Sequence, residues 1–137
     1  MYSMDGDFVT YVQAVRLKEL GFNWKTHAFY TKDGDLYTSD NPDYWNNEIW
    51  AEFSAPNLAQ VRKWLREEKH IVISVRPNDT INDSGNDEIY YSVDVFDITG
   101  NILKLQYSDA GIENYESALE DGVDEAIELL KQQNNGK

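Results

Sequence analysis

The spacing of apolar positions switches between helical and strand periods along this chain, and the switches fall at turn signals. Val9, Val12, Val15 and Leu20 recur near one face ahead of Gly21, which predicts a short helix over 9–20 stopped by a glycine just past its end. Aromatic strand material follows. Phe22 to Thr31 and Leu36 to Thr38 flank Lys32-Asp33-Gly34-Asp35, and an Asp-Gly pair between such runs predicts a hairpin turn because both central positions tolerate positive φ. Ser39 to Asn47 reads as a polar loop containing Pro42, and Glu48 to Phe53 as a short third strand.

Ala55-Pro56-Asn57 opens a second helix in which Leu58, Val61, Trp64 and Leu65 form a stripe at spacings of three and four. His70 closes it, at a place where a protonated imidazole suits a helix C-terminus. Ile71, Ile73 and Val75 then alternate with Val72, Ser74 and Arg76, the period of a strand with one protected face, and Pro77 is expected to end that strand. Residues 77–88 read as a long loop. Tyr91, Val93 and Val95 resume the alternation, Thr99-Gly100-Asn101 supplies a turn, and Leu103, Leu105 and Tyr107 complete a meander. The last helix, 114–133, carries Tyr115, Ala118, Leu119, Val123, Ala126, Ile127 and Leu130 on one stripe. Residues 132–137 are expected to fray.

This order predicts a single α+β domain over 1–137, an antiparallel sheet with the second and third helices packed on it. Two stretches, 22–69 and 71–133, each read as about three strands and a helix. That could be a degenerate ββ(β)α repeat, though the ordinary course of an α+β meander produces the same pattern and is the favoured reading. Trp24 and Trp64 are assigned to the core.

Charge changes the picture. The 25 acids outnumber the 12 bases and give a net charge of −13. Residues 71–137 hold 14 of the acids against only Arg76, Lys104, Lys131 and Lys137. Such a surface repels phosphate backbones and anionic lipid and attracts basic protein surfaces, so nucleic acid and membrane are not expected partners. The hydrophobic share of 41% supplies a core that a solvated acidic tail lacks. There is no cysteine, hence no disulfide or thiolate, in keeping with a reducing cytosol. Asp5 and Asp7 stand where a signal peptide carries Lys or Arg, and no run approaches a membrane span, so a cytoplasmic location is expected.

Candidate chemistry is sparse. Tyr44, Trp45 and Trp50 lie in or beside a polar loop, where exposed rings would bind a partner and inward ones would plug the core. Glu116, Glu120, Asp121, Asp124, Glu125 and Glu128 form the acidic face of the last helix, either a solvated face or an imitation of phosphate spacing that docks on a DNA-binding protein. Asp79, Asp83, Asp87 and Glu88 are oxygen donors on a loop, but the spacing of a calcium-binding EF-hand fails, since the position five before Gly85 is Thr80. His27 and His70 have no partner at metal or charge-relay spacing, and no Gly-rich phosphate loop is present. No catalytic residue, metal or cofactor is assigned.

Residues 57–133 resemble double-stranded RNA-binding domains in element order alone. Ile112-Glu113-Asn114-Tyr115-Glu116-Ser117 stands where those domains start their last helix with basic residues, which excludes the RNA role. Three stretches, Gln13 to Phe22, Ser54 to Glu67 and Tyr115 to Glu120 onward, resemble small proteins of unassigned function recurrent in gut anaerobic bacteria and their phages and prophages. The resemblance implies a cytosolic protein of mobile-element origin and carries over no catalytic residue. The expected function is non-catalytic: binding to a protein partner of unknown identity. The alternatives are an acidic nucleic-acid mimic that inhibits a DNA-binding protein, and an enzyme of unrecognised class.

Overall fold

The computed structural model describes residues 8–40, 52–81, 85 and 87–135. The fold is α+β, with antiparallel strands in two three-stranded sheets. Its contacts fall into two compact units, one running to Val61 and resuming at Leu129, the other spanning Arg62–Glu128.

In the first unit, α1 (Tyr11–Glu19) is set by its ends. The Thr10 hydroxyl accepts from Gln13 N–H at 3.2 Å while the Gln13 side chain accepts from Thr10 N–H at 2.8 Å, a reciprocal cap. At the other end Gly21, at φ 94°, lets Gly21 N–H reach Lys18 C=O at 3.1 Å and Phe22 N–H reach Leu17 C=O at 2.9 Å. The buried face is Gln13, Ala14 and Leu17, not the predicted valine stripe. Val9 is buried ahead of the helix, whereas Val12 is 56% exposed.

The expected strand over 22–31 shrinks to β1 (Ala28–Thr31), which pairs with β2 (Leu36–Thr38) and β3 (Glu52–Ser54) in the order β2-β1-β3. The β1–β2 turn closes through Gly34 N–H to Thr31 C=O at 2.9 Å, with Gly34 alone at positive φ. Asp33 keeps an ordinary φ, so the turn differs from the predicted form with two left-handed residues. Phe53 and Tyr30 sit opposite each other, and Tyr11 packs edge-on against both rings at 5.7–5.8 Å, so α1 lies on that face. Trp24 is half-buried beside Phe22, not in the core proper.

Helix α2 (Leu58–Lys69) starts at Asn57, whose side chain accepts from Gln60 N–H at 2.8 Å. Leu58, Val61, Trp64 and Leu65 are buried as their stripe predicts. His70 has left the helix. It adopts φ 60° and turns the chain, its C=O accepting from Ile98 N–H at 2.9 Å.

The second sheet is a meander in the order β4-β5-β6: β4 (Ile71–Ile81), β5 (Asp87–Asp97) and β6 (Lys104–Ile112). Pro77 does not end β4. It lies inside the strand opposite Tyr91, and the predicted loop over 77–88 contracts because Asn78 to Ile81 pair with β5. The proline is tolerated because β4 is an edge strand, where a missing N–H faces no ladder partner. On the face of Ile71, Ile73, Val93 and Val95, all buried, packs α3 (Tyr115–Asn135). Gly122 makes that approach: a Cβ there would stand 2.6 Å from Ile73 Cγ2 and 2.9 Å from Val93 Cγ2. Ala118, Leu119, Val123, Ala126, Ile127 and Leu130 are buried as predicted, while Tyr115 is exposed. The helix continues to Asn135, so most of the expected frayed tail is helical.

A register shift between Val95 and Phe96 overturns the alternation expected in the last strand. Tyr107 pairs with Val95, but Leu105 pairs with Phe96 and so stands on the other face. Leu103 and Leu105 are 64% and 53% exposed. The order of elements recurs in the two halves, but the pairing does not: the first strand is central in one sheet and at the edge in the other.

Candidate functional site

Helix α3 presents the largest set of predicted site residues that the structure describes. Asn114 caps it, accepting from Ser117 N–H at 2.8 Å, and Glu116 in the first turn faces the positive end of the helix dipole. With the apolar stripe held against the sheet, the acids occupy the opposite half-circle. Glu116, Glu120 and Asp124 are exposed, and Asp121, Glu125 and Glu128 are half-buried.

Two residues outside the predicted set join this face. The Tyr107 hydroxyl of β6 donates to Asp121 Oδ2 at 2.7 Å and lies 3.5 Å from Asp109 Oδ2. Desolvation, then the Asp121 hydrogen bond and the charges of Asp121, Asp109 and Glu125, push the Tyr107 hydroxyl well above its ordinary range, so it stays a donor. Glu125 is also pushed up, first by desolvation and then by Asp121, Asp124 and Glu128. The face is a dense negative field, and within it Glu125 is harder to ionise. Tyr107 pairs with Val95 on the face that α3 covers, which sets its hydroxyl beside Asp121, and no spacing along the sequence announces the contact.

The opposite face of the second sheet holds another group that sequence reasoning missed. Asp94, 8% exposed on the central strand, accepts from Arg76 Nε at 3.2 Å and from an Arg76 terminal nitrogen at 3.0 Å. Its second oxygen accepts from the Ser108 hydroxyl at 2.6 Å, and Asn78 donates to Ser92 alongside. The signal was present as Ser92 and Asp94 set between Tyr91, Val93 and Val95, a polar alternate row in an apolar strand. The network satisfies both oxygens of a nearly buried carboxylate, which leaves it a structural clasp across three strands.

Tyr44, Trp45 and Trp50 lie outside the described residues, as does Asp83. Half-buried His27 holds its own hairpin, with Nδ1 3.1 Å from Ser39 C=O. Among the described residues no group of three or more His, Asp or Glu is placed to hold a metal ion, and no helix is long and apolar enough to cross a membrane.

Fold and site thus define an α+β protein with one strongly acidic helix face. No family model, curated protein or solved structure matches the chain.

Proposed function

We propose that this chain is a non-catalytic binding protein that engages the basic surface of a protein partner through the outer face of α3. The observation that carries the reading is the gathering of Asp121, Asp124, Glu125 and Glu128 on one helix face, where burial and then the neighbouring charges raise Glu125, a field that a cationic partner would relieve. The resemblance to small proteins of gut anaerobes and their phages supports a cytosolic setting and a mobile-element origin. A partner whose basic surface normally holds duplex DNA makes the chain a nucleic-acid mimic, a special case of the same contact.

The test is affinity capture from lysate with wild-type bait and with bait carrying Glu120→Gln, Asp124→Gln and Glu128→Gln. The captured partner should be lost from the variant and should elute from the wild type as salt rises. A partner retained equally by both baits overturns the reading. Release of that partner by added duplex DNA marks the mimic, and its retention marks an ordinary protein contact.

A further inference from the structure

We infer that β6 is the docking edge of the second sheet, to which an extended segment of a basic protein adds as an antiparallel strand with lysine or arginine at alternate positions. This strand is the form in which the basic partner proposed above engages α3, and it depends on that reading. Strand phase shows which backbone groups point outward. Ile98 N–H donates to His70 C=O at 2.9 Å, so even-numbered residues of β5 turn their N–H and C=O groups to β4 and odd-numbered ones turn theirs to β6. Two features of β4 agree: the Arg62 guanidinium donates to Ile73 C=O at 3.0 Å from outside the sheet, and Pro77 lacks its N–H at an outward position. Tyr107 and Asp109, paired with Val95 and Val93, therefore bond to β5, and Ser108 between them points its N–H and C=O away from it.

The two edges of the sheet differ. On β4, Arg62 and Pro77 block a further strand. On β6, residues 104–106 and 108–111 are all exposed, and no strand lies beyond it among the described residues. Register shifts bound its regular stretch to about 107–109, and Ala110 N–H is already held by the Asp109 carboxylate at 2.9 Å. The added ladder is short, so side chains must supply most of the affinity.

Charge selects the occupant. Gly122 brings α3 against Ile73 and Val93, on β4 and β5, which leaves β6 beside the helix rather than under it. The flank of α3 toward β6 carries Asp121, which the Tyr107 hydroxyl reaches at 2.7 Å, and one turn on, Glu125. Asp109 stands on the same face of β6, one oxygen held by Ala110 N–H and the other 3.5 Å from the Tyr107 hydroxyl. Directly opposed residues of an antiparallel pair point to one face, so the residues of an added strand opposite Tyr107 and Asp109 face these three carboxylates. Lysine or arginine fits there. The residue between them opposes Ser108 on the outer face, near the Arg76–Asp94 pair, where no net charge calls for one. A second copy of this chain, or a nucleic-acid strand, would bring like charge to the same flank.

Synthetic peptides of about ten residues, titrated into the full chain at about 0.05 M salt and followed by calorimetry and amide NMR, test this. A peptide alternating Lys with Thr should bind, should protect Ser108 N–H from exchange, and should bind at least about tenfold tighter than a peptide of the same composition with its lysines in one block. N-methylation of the threonines, whose N–H groups turn to β6, should abolish binding, whereas N-methylation of the lysines, whose N–H groups turn away, should leave it. Asp109→Asn with Glu125→Gln should weaken binding at least about tenfold with unchanged circular dichroism. A helical peptide with Lys at every fourth position that binds tighter than the alternating one overturns the inference and leaves the acidic-face reading standing. No binding of the alternating peptide, no protection of Ser108 N–H, or equal loss from the two N-methylated sets would each overturn it as well, and the lysate capture decides the underlying reading separately.

Discussion

Gly122 occupies a position where two residue-level preferences oppose each other. In a helix interior alanine is favoured over glycine by about 1 kcal/mol, yet a Cβ here would press into Ile73 and Val93 on buried strands. The clash wins, so Gly122→Ala should lower stability by about 1–2 kcal/mol in urea unfolding. A raised midpoint would place the helix farther from the sheet than described. His70 presents the converse case. It carries a side chain at φ 60°, where a non-glycine residue costs about 1 kcal/mol, so His70→Gly should leave the fold intact and raise the melting temperature by a few degrees. Trp64 was readable from the sequence alone because its stripe leaves it one orientation, and it is 2% exposed. Trp64→Ala should cost about 3–5 kcal/mol, and a melting temperature that hardly moves would contradict its burial.

The helices illustrate how ends and faces divide the work at the scale of elements. Helix α1 has a weak apolar stripe and depends on its reciprocal Thr10–Gln13 cap, so Thr10→Ala should cost about 1 kcal/mol. Helix α3 is held by its buried face against like-charge pairs such as Glu120 with Asp124 and Asp124 with Glu128. Changing these three acids to glutamine should retain helix content and add a few tenths of a kcal/mol, measured by circular dichroism through thermal unfolding. The strands were harder to read. Proline normally reads as a stop, but strand rank in the sheet decides whether its missing N–H matters, and β4 is an edge. Leu103 and Leu105 follow a strand period in the sequence, but both are exposed, and one register shift sets Leu105 on the face opposite Tyr107, which meets the acids of α3.

For the molecule as a whole, the acidic face couples stability to pH. Glu125 has a folded-state pKa above its ordinary value near 4.5, so its ionised form is disfavoured in the fold. Its contribution to stability is lowest at neutral pH, is gained as pH falls through the raised folded pKa, and is complete below the unfolded value. Glu125→Gln should therefore be more stable than wild type at pH 7, and the difference should shrink on acidification toward about 4.5, as melting temperatures across that range will show. A difference that grows instead would reverse the assigned shift. The net charge of −13 gives added salt the same sign of effect at neutral pH, since screening relieves self-repulsion.

Local chemistry determined a definite part of this protein. Helical stripes in α2 and α3, Gly21 after α1, the Asp-Gly signal before Leu36 and the acidic second half all arise from neighbours in the chain, and each is visible in the sequence. The α+β class follows from their order. Tertiary structure decided the rest, because a strand does not encode its partner: the division into two sheets, Pro77 within β4, the bulge that sorts Leu105 from Tyr107, and the Arg76–Asp94–Ser108 clasp all depend on register between distant segments. The acidic face lies between these cases. Its six α3 carboxylates are set by helical period alone, but their link to Tyr107 and Asp109 exists only because α3 packs on the sheet through Gly122.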